Sequence, residues 1–217
     1  VRGSALSFDV ARHEYRRPDG LVVPSVTRVL RGVGLSTDYE ALAASNKLSR
    51  AILDRKRALG TAVHVETQYY DDHGLDLRRL DEEVLPYVEA WAMARVNLQL
   101  TPITRERRMY AEWLGVCGTL DGVFYRGTDD GHLILIDIKT GSVDGAATRY
   151  QTAGYEVLWN DEYPSRPIAE RWAVELTPER ATPYRIHDFT KACGGWRDGH
   201  HFRSIVQAYY ALARGDR

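Results

Sequence analysis

Gly118-Thr119-Leu120-Asp121-Gly122 and, one hairpin later, Leu133-Ile134-Leu135-Ile136-Asp137-Ile138-Lys139-Thr140-Gly141 are the stretches that decide how this chain folds. Side chains alternate along a strand, so Asp137 and Lys139 share one face and Ile138 points to the other. Between the stretches lies the turn cluster Gly127-Thr128-Asp129-Asp130-Gly131. A hairpin centred on Asp129 sets Asp121 across from Asp137, to within one or two residues of register. Two facing carboxylates repel and weaken a sheet, so something must compensate them. Solvated acids on a surface hairpin would need no compensation, but the apolar run Leu133 to Ile136 implies a strand buried up to Asp137. A strand that turns polar as it leaves the core is where α/β sites form. Two aspartates with a backbone carbonyl make a hard oxygen set suited to Mg²⁺ or Mn²⁺. Lys139 beside them is placed to orient a water or offset charge on a phosphoryl oxygen.

Working outward, Ile103 to Trp113 and Val116 to Arg126 read as strands that meet His132 to Lys139 in a three-stranded meander. Helical spacing follows from Ala146 to Trp159, then strands over Ile168 to Leu176 and Tyr184 to Phe189, then a closing helix from Trp196 to Ala213. Upstream, Phe8 to Val10 and His13 to Val23 form short strands around Pro18-Asp19-Gly20. Ser25 is a good N-cap for a helix carrying Val26, Val29 and Leu30. Helices are predicted over Tyr39 to Leu48, Ser49 to Asp72 and from Asp81 through Val96. The order implies an α/β (α+β) fold, a central mixed β-sheet flanked by helices, with a helical N-terminal part. The 217 residues fit one domain: a mainly helical part over about 24–100, a sheet core over about 102–190 and a C-terminal helix over about 191–217.

Composition narrows the function classes. Hydrophobic residues are 44% and charged residues 27%, which excludes disordered and collagen-like chains. Lys and Arg number 29 against 30 Asp and Glu, so no global charge draws the chain to nucleic acid, although a local basic groove remains open to it. Lysine occurs only at 47, 56, 139 and 191, which singles out Lys139 in its polar cluster. Cys117 and Cys193 are too few for a disulfide framework or a four-cysteine iron–sulfur cluster. No apolar run spans a bilayer and no signal-peptide core is visible, so a soluble cytoplasmic protein with reduced thiols is expected.

Gln151 and Tyr155 stand four residues apart on one helix face, with Arg149 close in sequence. His64 follows Gly60 by one turn on the long helix. By itself a helical histidine has little claim to a metal.

Taken together, these pieces resemble the PD-(D/E)XK nuclease superfamily, in its RecB-like, phage-type exonuclease branch. The resemblance runs from about Tyr15 to Leu158. It joins the opening Asp19-Gly20 … Pro24-Ser25-Val26-Thr27, the Gly60-x-x-x-His64 helix, Glu106, Gly118-x-x-Asp121, Asp137-x-Lys139 and Gln151-x-x-x-Tyr155. Each piece is short; their order and spacing carry the likeness, which implies a restriction-endonuclease-like core. It also implies Asp121, Asp137, the Ile138 carbonyl and His64 as metal ligands, and Lys139 as the catalytic lysine. Gln151 and Tyr155 would support the site and touch DNA, and Glu106 would help hold a metal or its waters. Leu120 stands where the superfamily's name has proline, and Asp137 is one methylene shorter than Glu.

The function expected from this resemblance is Mg²⁺- or Mn²⁺-dependent hydrolysis of phosphodiester bonds from free DNA ends, double- or single-stranded, in phage or bacterial recombination or repair. No iron–sulfur cluster and no membrane are expected. A single-strand annealing protein or a helicase is the implied kind of partner, since no phosphate-binding Gly-x-x-x-x-Gly-Lys-Ser/Thr loop supplies a motor. Binding then rests on phosphate contacts. The densest candidates are Arg55-Lys56-Arg57, about two turns before His64, joined by Arg149, Gln151, Tyr155 and Ser25, with Arg28, Arg31 and Arg50 behind them. Rival readings are a structure-specific or flap endonuclease on the same site, and an inactive module that holds DNA ends.

Overall fold

The computed structural model describes residues 6–9, 12, 14–36, 44, 47–74, 76–191, 195 and 197–215. Most of the helix expected over Tyr39–Leu48, together with Cys193 and Trp196, lies outside these residues. A small antiparallel sheet comes first: β1 (Ser7–Asp9), β2 (Glu14–Arg16) and β3 (Val22–Val23). Gly20, at φ +85°, makes the turn between the last two. Helix α1 (Val26–Gly32) follows, its first turn capped by Ser25, whose hydroxyl accepts the Arg28 N–H. Then come α2 (Lys47–His73), which runs through Gly60 unbroken, and α3 (Leu85–Asn97). The helix expected from Asp81 starts later because the Asp81 carbonyl closes a turn onto Val84 and Leu85.

The main sheet holds β4 (Leu100–Ala111), β5 (Val116–Arg126), β6 (Asp129–Lys139), β7 (Ile168–Leu176) and β8 (Tyr184–Asp188) in that order. All neighbours are antiparallel except β6 and β7, which α4 (Gly145–Glu162) joins by a crossover. The sheet is mixed and flanked by helices, an α+β architecture. One face packs Met109, Leu120, Val123, Leu133 and Leu135 against α1, α4 and α5 (Asp198–Gly215). The other packs Phe124, Ile134, Ile136, Ile138 and Val174 against α2 and α3. Leu133 to Ile136 are fully buried, as their unbroken apolar run requires of a central strand. No helix among the described residues is long and apolar enough to cross a membrane.

Among the irregularities of the sheet, one falls at the level of the acids. On β5, Gly118 abuts Tyr155 of α4 and Leu120 lies in the same core, yet Gly122 abuts Phe124 and Arg105 in the opposite one. Residues two apart on a regular strand share a face. On β4, Arg107 reaches Glu162 of α4 at 2.6 Å, whereas Arg105 reaches Thr67 and Asp71 of α2. Both strands therefore change face at the same level, at Asp121 and at Glu106. Glu106 takes φ +45°, a left-handed backbone that costs a non-glycine residue about 1–3 kcal/mol. Such strain persists only where the surroundings enforce it.

Candidate metal centre

At that irregularity the acids line up. Arg105 pairs with Gly122 and Arg107 with Leu120, so Glu106 and Asp121 stand opposite each other. Gly122 pairs with Ile136, so the next position sets Asp121 opposite Asp137. Three carboxylates thus form a row across β4, β5 and β6; the Asp121–Asp137 part is the register the hairpin arithmetic anticipated, and Glu106 extends it. The main-chain pairing of β5 with β6 runs from Arg126 back to Gly122 and stops there, short of Asp121. The Ile138 N–H donates instead to Asp121 Oδ2 at 2.7 Å, while Ile138 stays in register with Val174 of β7.

His64 comes down from α2 over the row. Its Nδ1 is 3.6 Å from Asp121 Oδ2 and 3.7 Å from Glu106 Oε1. One ligand atom from each of His64, Glu106 and Asp121 falls within 4.8 Å of the other two. Glu106 Oε1 is buried and accepts no hydrogen bond. A buried carboxylate oxygen without a donor, beside a second carboxylate and an imidazole, suits a hard divalent cation.

Asp137 is 1% exposed and is held from the other side. Gln151 Nε2 donates to its Oδ1 at 3.0 Å, and Lys139 Nζ lies 2.9 Å from its Oδ2. Lys139 Nζ also donates to Gln151 Oε1 at 3.1 Å, and the Gln151 amide donates to the Tyr155 hydroxyl at 3.3 Å. Gln151 therefore bridges acid and lysine, and Tyr155 steadies Gln151.

Charge in this cluster is tightly linked. The negative charge of Asp121 pushes the His64 imidazole up to about 9, with burial opposing it and Glu106 adding to it. Burial pushes Asp137 up to about 6, although Lys139 pulls it back. Burial alone would lower Lys139, but Asp137 and Asp121 outweigh it and leave the ammonium raised. Lys139 is accordingly a charged donor at neutral pH.

The centre lies on the floor of a groove of about 1360 Å³. One wall is α2, with Arg57, Thr61 and Gln68 on the face that carries His64. The other is the small sheet, tied to β5 by the Tyr15 hydroxyl against Thr119 Oγ1 at 2.7 Å and by the Cys117 N–H donating to the Pro24 carbonyl. Arg28 and Arg31 of α1 and Arg108 of β4 add positive charge.

Of the expected DNA contacts, Ser25, Arg28, Arg31, Arg57 and Tyr155 line this groove, whereas Gln151 stands behind Tyr155 outside the lining. Arg55 sits two positions from Arg57, hence on another face of α2, and pairs with Glu83. Lys56 is exposed and is not part of the groove lining. Arg149, likewise two positions from Gln151, turns into a buried lock, with Nη2 2.6 Å from Asp198 Oδ1. Arg171 completes that lock.

Residues that gave no sequence signal also matter: Arg105, Thr67 and Asp71 lie directly behind the centre. Only the adjacency of Arg105 to Glu106 pointed toward them.

No family model matches the chain, and no curated protein matches it. Among solved structures, the crystal structure of SSO0001 aligns with a TM-score of 0.33 and 16% identity, covering 77% of this chain and 87% of that one. A likeness that distant carries no argument.

Proposed function

We propose that this protein is a metal-dependent deoxyribonuclease of the PD-(D/E)XK, RecB-like kind that hydrolyses phosphodiester bonds from DNA ends. The observation that carries the reading is the row of Glu106, Asp121 and Asp137 on neighbouring strands, with His64 above it and Lys139 beside it. The motif order in the sequence supports it independently.

His64, Glu106 and Asp121 would hold the ion, with Asp137 and the Ile138 main chain completing the set. What Mg²⁺ or Mn²⁺ supplies at such a site is a water of lowered pKa and neutralisation of charge developing on phosphoryl oxygens. Lys139, kept charged by its acidic neighbours, donates a hydrogen bond to the attacking water or to a non-bridging oxygen. Gln151 fixes the direction of that donor by accepting from Nζ while it holds Asp137. Arg28, Arg31, Arg57 and Arg108 bind phosphates along the groove, which positions the strand without reading its sequence.

The test is digestion of end-labelled linear single- and double-stranded DNA, beside closed circles, with Mg²⁺, Mn²⁺ or EDTA. Shortening of linear DNA that is lost in EDTA and in Lys139→Ala, with circles intact, is the expected result. Cleavage of circles would make the protein an endonuclease on the same site. Folded protein that cuts nothing with metal present would refute hydrolysis and leave a DNA-end-binding module.

A further inference from the structure

We infer that Arg105 is a positioning residue that sets the mutual geometry of His64, Glu106 and Asp121, and with it the metal affinity of the centre; this rests on the metal-site reading above. Arg105 is the residue before Glu106, and its side chain is 1% exposed. Its guanidinium reaches both other ligand-bearing elements. Nη1 donates to the main-chain carbonyl of Asp121 at 2.6 Å. Nη2 donates to Thr67 Oγ1 at 3.2 Å, and that hydroxyl in turn donates to the His64 carbonyl at 3.0 Å. Nε pairs with Asp71 at 2.9 Å, two turns after His64 on α2. One planar fork therefore ties β4, β5 and α2 together at the level of the three ligands.

The surroundings hold that fork rigid. The Asp71 side chain is fully buried, and it also receives the Trp91 indole N–H and an arm of Arg95. The Arg105 guanidinium lies 5.6 Å from the ring centroids of both Trp91 and Phe124. Gly122 keeps the approach open, because a Cβ there would stand 2.7 Å from Nη1. Lysine cannot replace this arrangement. It has a single nitrogen and no plane, so it cannot serve Asp121, Thr67 and Asp71 at once. Groups behind metal ligands typically change metal affinity or activity 10–100-fold when lost.

The experiment is calorimetric titration of Mn²⁺ into the full chain, with a thermal melt at each Mn²⁺ concentration. Wild type is compared with Arg105→Lys and Thr67→Val. Val206→Ala, a cavity in the core beneath α5 far from the acids, controls for lost stability. Folded Arg105→Lys should bind Mn²⁺ at least tenfold more weakly and Thr67→Val severalfold more weakly. Val206→Ala should lower the melting temperature and keep wild-type affinity. Wild-type affinity in folded Arg105→Lys overturns the inference alone. If Arg105→Lys does not fold, Thr67→Val decides, and unchanged affinity there overturns it. Equal weakening in Val206→Ala also overturns it, since general loosening would then explain the effect. A wild type that binds no Mn²⁺ overturns the metal site itself, and this inference with it.

Discussion

Titrating Mn²⁺ into the protein at pH 7 should release about one proton for each ion bound. The perturbation is entry of the cation into the space now occupied by the His64 proton. With its pKa pushed up to about 9, chiefly by Asp121, His64 carries that proton at neutral pH. The protonated fraction at pH 7 is roughly 99% on that value, and a protonated imidazole has no lone pair for a metal. Asp137, pushed up to about 6, is roughly one-tenth protonated at pH 7 and adds ~0.1 proton. The expected release is therefore ~1.1 protons at pH 7, falling to ~0.8 at pH 8.5 as His64 approaches its own titration. Over pH 6.5 to 8.5 the apparent Kd should tighten roughly 100-fold, a little more than tenfold per unit at the lower end, where Asp137 adds to His64. Calorimetry in two buffers of different ionisation enthalpy counts the protons directly. His64→Asn should bind more weakly and release almost none. Tight binding at pH 7 with fewer than ~0.3 protons released, or a Kd flat with pH, would mean that the ion does not displace the His64 proton.

Three further outcomes are expected. Arg57→Ala should weaken DNA binding at every sequence and lower the slope of log K against log salt by about 1, whereas Arg55→Ala, paired with Glu83 away from the groove, should leave both unchanged; filter binding across a salt series reads this. In metal-free protein, the His64 pKa lies above its unfolded value of about 6.5, so its charge stabilises the fold fully below pH 6.5, and that contribution is lost as pH rises through about 9. Melting temperatures of the metal-free protein should show that fall, and His64→Asn should lack it. Asp198→Ala should cost about 3–5 kcal/mol in urea unfolding, because it takes their shared carboxylate from the buried Arg171 guanidinium and the half-buried Arg149.

The sheet was largely legible because its strands carry continuous or alternating apolar patterns. Val116–Arg126 and Ile168–Leu176 have the bounds that their patterns predicted. The register of β5 on β6 was also anticipated, though the turn is not built as expected. Arg126 pairs with Asp129 across a two-residue turn, and an irregularity beside Tyr125 restores the register of a hairpin centred on Asp129. The change of face at Glu106 and Asp121 was not legible. A positive φ at a glutamate has no sequence signature, and strict alternation predicts the opposite arrangement. Direction around a helix was legible only where spacing was applied residue by residue: counting basic residues favoured Arg55 with Arg57, but two positions of rotation separate the groove from its back. Long-range partners such as Asp71 and Arg105 depend on packing that no local pattern encodes.

The closing helix carries a consequence for how the molecule is made. A Cβ at Gly32 would stand 2.6 Å from the Tyr209 ring, so α1 and α5 are in intimate contact, while the Tyr210 hydroxyl donates to the Gly115 carbonyl at the turn between β4 and β5. Roughly 175 residues separate Gly32 from Tyr209, so at ~5–20 residues per second α1 waits about 10–35 s on the ribosome for this neighbour. Until then the helix that carries Arg28 and Arg31 lacks its outer support, and the nascent chain has its carboxylates and lysine before the wall of the groove beside them is finished. Synthesis itself thus delays a fully walled groove until α5 has emerged and docked.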